Sequence, residues 1–364
     1  MEIIDLLTTL NPSRIFLITG KNSFKECGAK TFFKNHLSKY KFTHFSDFKP
    51  NPNFEDLQRA LISFHQTKHD IIIAVGGGSV IDMGKLVNYF HNAHDQNLRN
   101  YFESKPDFLP LPFICLPTTA GSGSEATHFA VLYRKNKKYS IANKQLKPSY
   151  VIIDPVYHYS QSPYQKAISG IDALSQAIES MWSIHSTYES IVYSQYALEL
   201  ILQNIENAVI NNDKESHLKI AIGSYYAGKA INIAKTTAAH ALSYVLTSQF
   251  DIPHGHAVGL SLGEWFTFNS MTSIDNCNDS RGPEHLKNIL NSINRIFGSS
   301  CSEQTSIKIN SLLIKLGLKT KLSDFNINEK MLKTIAKAIN YDRLNNNPRK
   351  ISYEDIELLL LNIL

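Results

Sequence analysis

Residues 70–82 read DIIIAVGGGSVID, and this stretch decides the architecture. Asp70–Val75 (DIIIAV) is a short apolar run without alternation, the pattern of a strand covered on both faces, as in a parallel sheet. Gly76, Gly77 and Gly78 then stop the run, and Ser79-Val80-Ile81-Asp82 opens a helical pattern. Glycines let a ligand approach the backbone closely, and the first N–H groups of a helix favour an anion. Gly76, Gly77, Gly78 and Ser79 are therefore candidates for cradling a pyrophosphate; a tight turn without a ligand has the same local sequence.

Outward from this stretch the first 155 residues keep the same alternation. Residues 14–19 (RIFLIT), 112–116 (PFICL) and 150–154 (YVIID) read as further strands, with helices over 53–65 and 82–91 between them. The charged run RKNKKY at 134–139 reads as a hairpin tip. After Pro155 the character changes to long helical patterns over 170–183, 187–211, 218–248 and 259–270, separated by Asn-rich breaks. The expected plan is α/β plus all-α: a parallel-sheet domain over 1–157 and a helical domain over 158–364.

The chain has 364 residues, 43% hydrophobic and 19% charged, enough apolar surface for two domain cores and too little charge for disorder. A net charge of +5 without clustering excludes a dedicated nucleic-acid binder and leaves small anionic ligands open. No apolar run is long enough to span a bilayer. The opening MEIIDLLTTLNPSRIF lacks a signal-peptide pattern, and the four cysteines form no C-x-x-C pair. Both observations predict a cytoplasmic protein, and nothing in the sequence speaks against a homodimer.

Three further motifs carry chemistry. PTTAGSGSE at 117–125 is a second small-residue turn after a strand, equally readable as an ordinary loop. GIDALSQAIES at 170–180 puts Asp172 and Gln176 on one helical face, though opposite Leu174 and Ile178, so spacing alone favours a solvated face. AAHALSYVLTSQFDIPHGHAV at 238–258 carries His240, His254 and His256. Two of these beside an Asp of another helix would make a carboxylate–imidazole site suited to Fe²⁺ or Zn²⁺. Upstream, Lys229, Asn232 and Lys235 are spaced by three on a helical pattern running into His240, and are candidates for an anionic substrate group. A solvated basic flank is the alternative.

Together and in this order, GGGSVID, PTTAGSGSE, GIDALSQAIE, the His240/His254 pair and Asn347-Pro348-Arg349 resemble the iron-containing (group III) alcohol dehydrogenase family. The resemblance implies a Rossmann-like dinucleotide domain, a helical metal domain, and a site in the cleft between them. It implies cofactor contacts from Gly76, Gly77, Gly78, Ser79, Thr118, Thr119, Ser122, Thr127, Phe129, Tyr133 and Lys138. Asp172, His240 and His254 match three of four metal ligands; the fourth, usually histidine, is Gln176. A further family histidine is Tyr244 here, which joins the candidate catalytic residues Asp172, His240 and His254. Many NAD-preferring relatives carry an Asp after the first strand; this chain reads TGKNS at 19–23, with Gly20 there and Lys21 beside it, which predicts NADPH over NADH. The stretch 240–258, with SQAIESMWSIHSTYES at 175–190, resembles the subgroup that reduces phosphonoacetaldehyde to 2-hydroxyethylphosphonate. The alternatives are a general short-chain alcohol dehydrogenase, a dehydroquinate-synthase-type lyase, and a dinucleotide-binding protein that has lost catalysis.

Overall fold

The computed structural model describes residues 3–92, 109–134 and 137–364, the side chains of Lys137 and Lys138 excepted. The chain divides into two compact units, Met1–Gln161 and Ser162–Leu364. The division falls after Gln161 rather than at 157 because the turn Pro155–His158 is held by the first unit. His158 Nε2 donates to the Pro117 carbonyl at 3.0 Å, and Gln161 Nε2 donates to the Thr118 carbonyl.

In the first unit β1 (Arg14–Thr19), β2 (Lys41–Phe45), β3 (Ile71–Gly76), β4 (Phe113–Pro117) and β7 (Tyr150–Val151) form a parallel sheet of order β2-β1-β3-β4-β7. The continuous apolar runs follow from its two covered faces. Phe16, Ile18, Ile72, Ala74, Phe113 and Cys115 face one core, with α4 (Phe54–His65) and α5 (Gly78–Phe90). Ile15, Leu17, Ile71, Ile73, Val75, Ile114 and Leu116 face the other, with α1 (Ile3–Leu10) and α3 (Ala29–His36), which follows the short α2 (Ser23–Glu26). β5 (Phe129–Arg134) and β6 (Lys137–Ala142) pair antiparallel, Arg134 opposite Lys137; residues 135–136 of the charged run expected at the hairpin tip lie outside the described residues. The last expected strand is shorter than its apolar pattern: Asp154 leaves the sheet and accepts the Val156 N–H at 3.0 Å, capping the turn that follows.

The second unit is helical. Its centre is α6 (Pro163–Trp182), buried at every position from Lys166 onward and packed on α7 (Tyr188–Ile210), α8 (Lys214–Ala234) and α10 (His254–Ser270). The single helix expected over 218–248 is in fact two. α8 ends at Ala234, Lys235 takes φ +62°, and α9 (Ala238–Phe250) begins after Thr237. Helices α11 (Pro283–Ile296), α12 (Ser302–Lys315), α13 (Glu329–Ala338), α14 (Tyr341–Leu344) and α15 (Tyr353–Asn362) complete the unit among the described residues.

Candidate active site

In the first unit the two small-residue turns lie against each other at the carboxyl ends of β3 and β4. β3 ends in Gly76, Gly77 caps α5, and Gly78 is its first residue. The Thr118 N–H donates to the Gly76 carbonyl at 3.0 Å. A Cβ on Gly77 would lie 3.1 Å from Thr119 Oγ1, and one on Gly78 2.6 Å from Ser122 Oγ. Gly20, at the end of β1, stands across the same turn; its added Cβ would meet Val80 Cγ2 at 3.8 Å. Sequence order runs in opposite directions from β1 and β3, the switch point where open α/β sheets hold dinucleotides. The helix start at Gly77 and Gly78 supplies N–H groups and a positive dipole end for a pyrophosphate.

The other expected cofactor residues divide. The Ser79 hydroxyl accepts the Asn51 N–H at 3.0 Å, fastening the turn to the loop before α4. Thr127 is wholly buried: its hydroxyl accepts from Lys85 Nζ at 2.9 Å and donates to the Ser124 carbonyl. The Phe129 carbonyl also accepts from Lys85, at 2.8 Å. Thr127 and the Phe129 carbonyl therefore brace the turn from beneath rather than open onto it. Tyr133 lies in β5, its N–H donated to Pro52 O at 2.9 Å; the Lys138 side chain is outside the described residues.

In the second unit Asp172, His240 and His254 come together, one ligand atom from each lying within 4.8 Å of the others. Asp172 and Gln176 come from α6, His240 from α9, and His254 opens α10. Close approach of α10 to α6 needs a glycine. A Cβ on Gly255 would sit 2.0 Å from the Ile168 carbonyl oxygen and 3.0 Å from Asp172 Cβ. The solvated face that spacing favoured is overturned: Asp172, Gln176 and Glu179 are 7%, 3% and 0% exposed.

Hydrogen bonds fix which nitrogen each imidazole presents. His240 Nδ1–H donates to Glu179 Oε2, so Nε2 faces Asp172 Oδ1 at 3.2 Å. The Ser243 hydroxyl donates its proton to the His240 carbonyl at 2.8 Å, so at 3.2 Å it can only accept from His254 Nδ1–H. That directs His254 Nε2 toward Asp172 Oδ1, 3.9 Å away. Outer partners that set tautomer and ring orientation in this way are the usual surroundings of metal-bound histidines. Gln176 Nε2 donates to Asp172 Oδ1 at 3.3 Å. Burial raises the Asp172 pKa, but the His240 hydrogen bond and the charges of His254 and His240 outweigh it, holding the carboxyl below its ordinary range. Burial lowers the His240 pKa; Glu179 and Asp172 reverse the sign and push it up to about 10.

Sequence reasoning missed Glu179 and Ser243 as supports. Glu179 Oε1 also accepts the N–H groups of Thr237 and Ala239, at 3.0 and 3.1 Å, and the Thr237 hydroxyl at 2.7 Å. A carboxylate of α6 thus caps the start of α9, which is why the helix expected across 235–237 breaks there. The break also corrects the expected lysine flank. Lys235 is exposed at the end of α8 with a positive φ of 62°, and Lys229 lies 3.8 Å over the Tyr193 ring, held between α7 and α8. Asn232 remains on α8, so the three do not share a helix that reaches His240. His256 is bound elsewhere, by the Tyr164 hydroxyl at 3.0 Å and the Lys319 carbonyl at 2.8 Å. Tyr244 lies against the cluster: its ring stacks on His254, centroids 5.5 Å apart and planes 11° from parallel.

A glycine-built anion cradle in one unit and a carboxylate–imidazole cluster in the other agree with what sequence comparison finds. The iron-containing alcohol dehydrogenase model matches residues 1–155, and that of the C-terminal part of the Fe-containing alcohol dehydrogenase family matches 166–364. The chain belongs to the iron-containing alcohol dehydrogenase family.

Among curated members it is similar to phosphonoacetaldehyde reductase of Streptomyces viridochromogenes, 29% identical over 80% of this chain and 75% of that protein. It is 34% identical to long-chain-alcohol dehydrogenase 1 of Geobacillus thermodenitrificans over 58% of this chain and 55% of that one. Among solved structures it resembles sulfoacetaldehyde reductase from Bifidobacterium kashiwanohense in complex with NAD⁺, with a TM-score of 0.87, 28% identity, and coverage of 100% and 94%. The protein is thus an oxidoreductase of a family that uses NAD(P)H and a divalent metal on small aldehydes and alcohols. The donor set here, one carboxylate and two imidazoles with Nε2 atoms converging on it, fits a Fe²⁺ or Zn²⁺ ion. No helix among the described residues is long and apolar enough to cross a membrane.

Proposed function

We propose that this protein reduces a two-carbon aldehyde with an anionic group on its far carbon, phosphonoacetaldehyde first, to the corresponding alcohol with NADPH. The observation that carries the reaction type is the pair of oriented imidazoles around Asp172. Asp172, His240 and His254 would hold the metal, with Gln176 in the fourth family position. The bound ion supplies a Lewis acid for the carbonyl oxygen, and reduced nicotinamide supplies the hydride. The protein's own part is to keep both imidazoles in one tautomer through Glu179 and Ser243, and to hold the cofactor pyrophosphate at Gly76, Gly77 and Gly78. Tyr244 covers one face of His254, which limits how the substrate can approach it.

The anionic substrate is supported by two relatives whose names differ only in the oxyanion: phosphonoacetaldehyde and sulfoacetaldehyde are both acetaldehydes substituted at the second carbon. NADPH is supported by Gly20 and the exposed Lys21 after β1. The test is NADPH and NADH oxidation by the metal-loaded enzyme with phosphonoacetaldehyde, sulfoacetaldehyde and propionaldehyde. The reading expects the highest kcat/KM with phosphonoacetaldehyde and NADPH. A preference for propionaldehyde would leave a general short-chain alcohol dehydrogenase, and a preference for NADH would remove the role given to Gly20 and Lys21.

A further inference from the structure

Of the cations expected from sequence to meet an anionic substrate, Lys229 lies over the Tyr193 ring and Lys235 is exposed at the end of α8. One that no motif singled out is beside the metal cluster. The Arg343 guanidinium lies 4.7 Å over the Tyr244 ring, on whose plane His254 is stacked in turn. The Tyr244 ring thus contacts both the guanidinium and the imidazole, and the imidazole turns Nε2 toward Asp172. Arg343 is partly buried, and among the described residues no carboxylate lies within ion-pair distance of it. Arg281, by contrast, is paired with Asp279 at 2.7 Å.

The position of Arg343 is fixed by the segment that carries it. It sits on α14, which packs on α9 and is capped by Asn340 through the Asp342 N–H at 3.0 Å. Just beyond, Asn346 donates to the Thr236 carbonyl at 3.1 Å, at the break between α8 and α9. Buried Asn347 exchanges amide hydrogen bonds with Asn269, and Arg349 donates to the Phe268 carbonyl at 2.8 Å. The Asn-Pro-Arg motif thus ties the segment after α14 to α10, which His254 opens.

We propose that Arg343 is the residue that reads the anionic end of the substrate, gripping two oxygens of a phosphonate or sulfonate while the aldehyde oxygen lies at the Asp172–His240–His254 cluster. This rests on the proposed reduction of an anionic aldehyde. A planar guanidinium matches two oxyanion oxygens at once. The guanidinium and the His254 imidazole both contact the Tyr244 ring, which keeps them close enough for one short substrate to reach both. A neutral aldehyde of equal length makes no use of Arg343.

The test compares wild type, Arg343→Gln and Arg343→Lys, all metal-loaded, by calorimetric binding of 2-hydroxyethylphosphonate and by kcat/KM with phosphonoacetaldehyde and propionaldehyde. Arg343→Gln should weaken phosphonate binding by roughly 30-fold or more, with Arg343→Lys intermediate, and should lower kcat/KM about tenfold or more further for phosphonoacetaldehyde than for propionaldehyde. Equal phosphonate affinity in wild type and Arg343→Gln, no binding by wild type, or a matching loss with propionaldehyde would each overturn the assignment. If wild type binds the phosphonate through Arg343 yet prefers propionaldehyde as substrate, the anion site stands and the proposed reaction falls.

Discussion

The two halves of this oxidoreductase make their sites from opposite materials. The cradle after β3 is built of backbone: three glycines, a helix start, and a neighbouring turn whose side chains end where extra Cβ atoms would begin. The cluster in the helical unit is built of side chains from three helices, held by a carboxylate and a hydroxyl that never face the metal position. A backbone site is specified within a few residues, because glycine and a helix N-terminus are local facts. A side-chain site is specified only when distant residues meet, and each depends on a partner to select its tautomer and angle.

The sharpest way to break this contrast is to remove a member of the cluster. His254→Ala should abolish metal retention during dialysis against a chelator. It should cost activity more than the 10–100-fold typical of losing an outer partner, while NADPH binding, followed by fluorescence, stays at the wild-type level. Parallel loss of cofactor binding would show that the two sites are not separately built.

The outer partner itself gives the next effect. Glu179→Gln keeps an oxygen for the N–H groups of Thr237 and Ala239 but turns an amide toward His240 Nδ1. The imidazole then has to accept there, which places its proton on Nε2, where the metal should be. Metal affinity should fall about 10–100-fold with little change in melting temperature, and titration with Zn²⁺ would read it. Unchanged affinity would mean that Glu179 acts only as a helix cap.

These two residues also mark where sequence reading stops. Four of the five sheet strands, the separate hairpin and both glycine turns were legible because apolar continuity and glycine runs are local signals, and β1 matches its expected limits. Edge strand β2 (KFTHF) was not, because it has no continuous apolar run. Asp172, His240 and His254 were legible only through the order of several motifs, since the polar side of α6 imitates a solvated face. The break at Lys235 was not legible at all. Helical periodicity carries through it, and what stops the helix is Glu179, far away in sequence. Arg343 was missed for the same reason: its meaning lies in the ring it covers.

Gly78→Ala probes the backbone site with a smaller change. The new methyl would lie 2.6 Å from Ser122 Oγ and 2.8 Å from Ser122 Cβ, so the neighbouring turn itself has to shift. Overpacking of about 1–3 kcal/mol should appear as a rise in cofactor KM, with metal retention untouched. Adding Ser122→Gly should restore the KM; failure of that rescue would place the effect in the helix start rather than in the packing of the two turns.

The smallest effect qualifies the contrast, because the backbone cradle stands on side chains of its own. Lys85 is wholly buried and donates to Ser124, Thr127 and the Phe129 carbonyl, at 3.1, 2.9 and 2.8 Å. Asp82 accepts from the Ser124 hydroxyl at 2.6 Å. Beside them Glu125 is 3% exposed. Burial pushes its carboxyl up to about 7, against the pull of its own backbone N–H and of Lys85. The folded protein therefore keeps a proton that the unfolded chain releases from its ordinary pKa of 4.5 upward. The stability this contributes is complete below that value, declines as pH rises toward 7, and is absent above it. The slope is at most about 1.4 kcal/mol per pH unit. Glu125→Gln should flatten the pH dependence of urea unfolding across that window and leave metal retention unchanged. An identical slope in the variant would mean that Glu125 is already ionised in the folded protein, as a partner of the Lys85 ammonium.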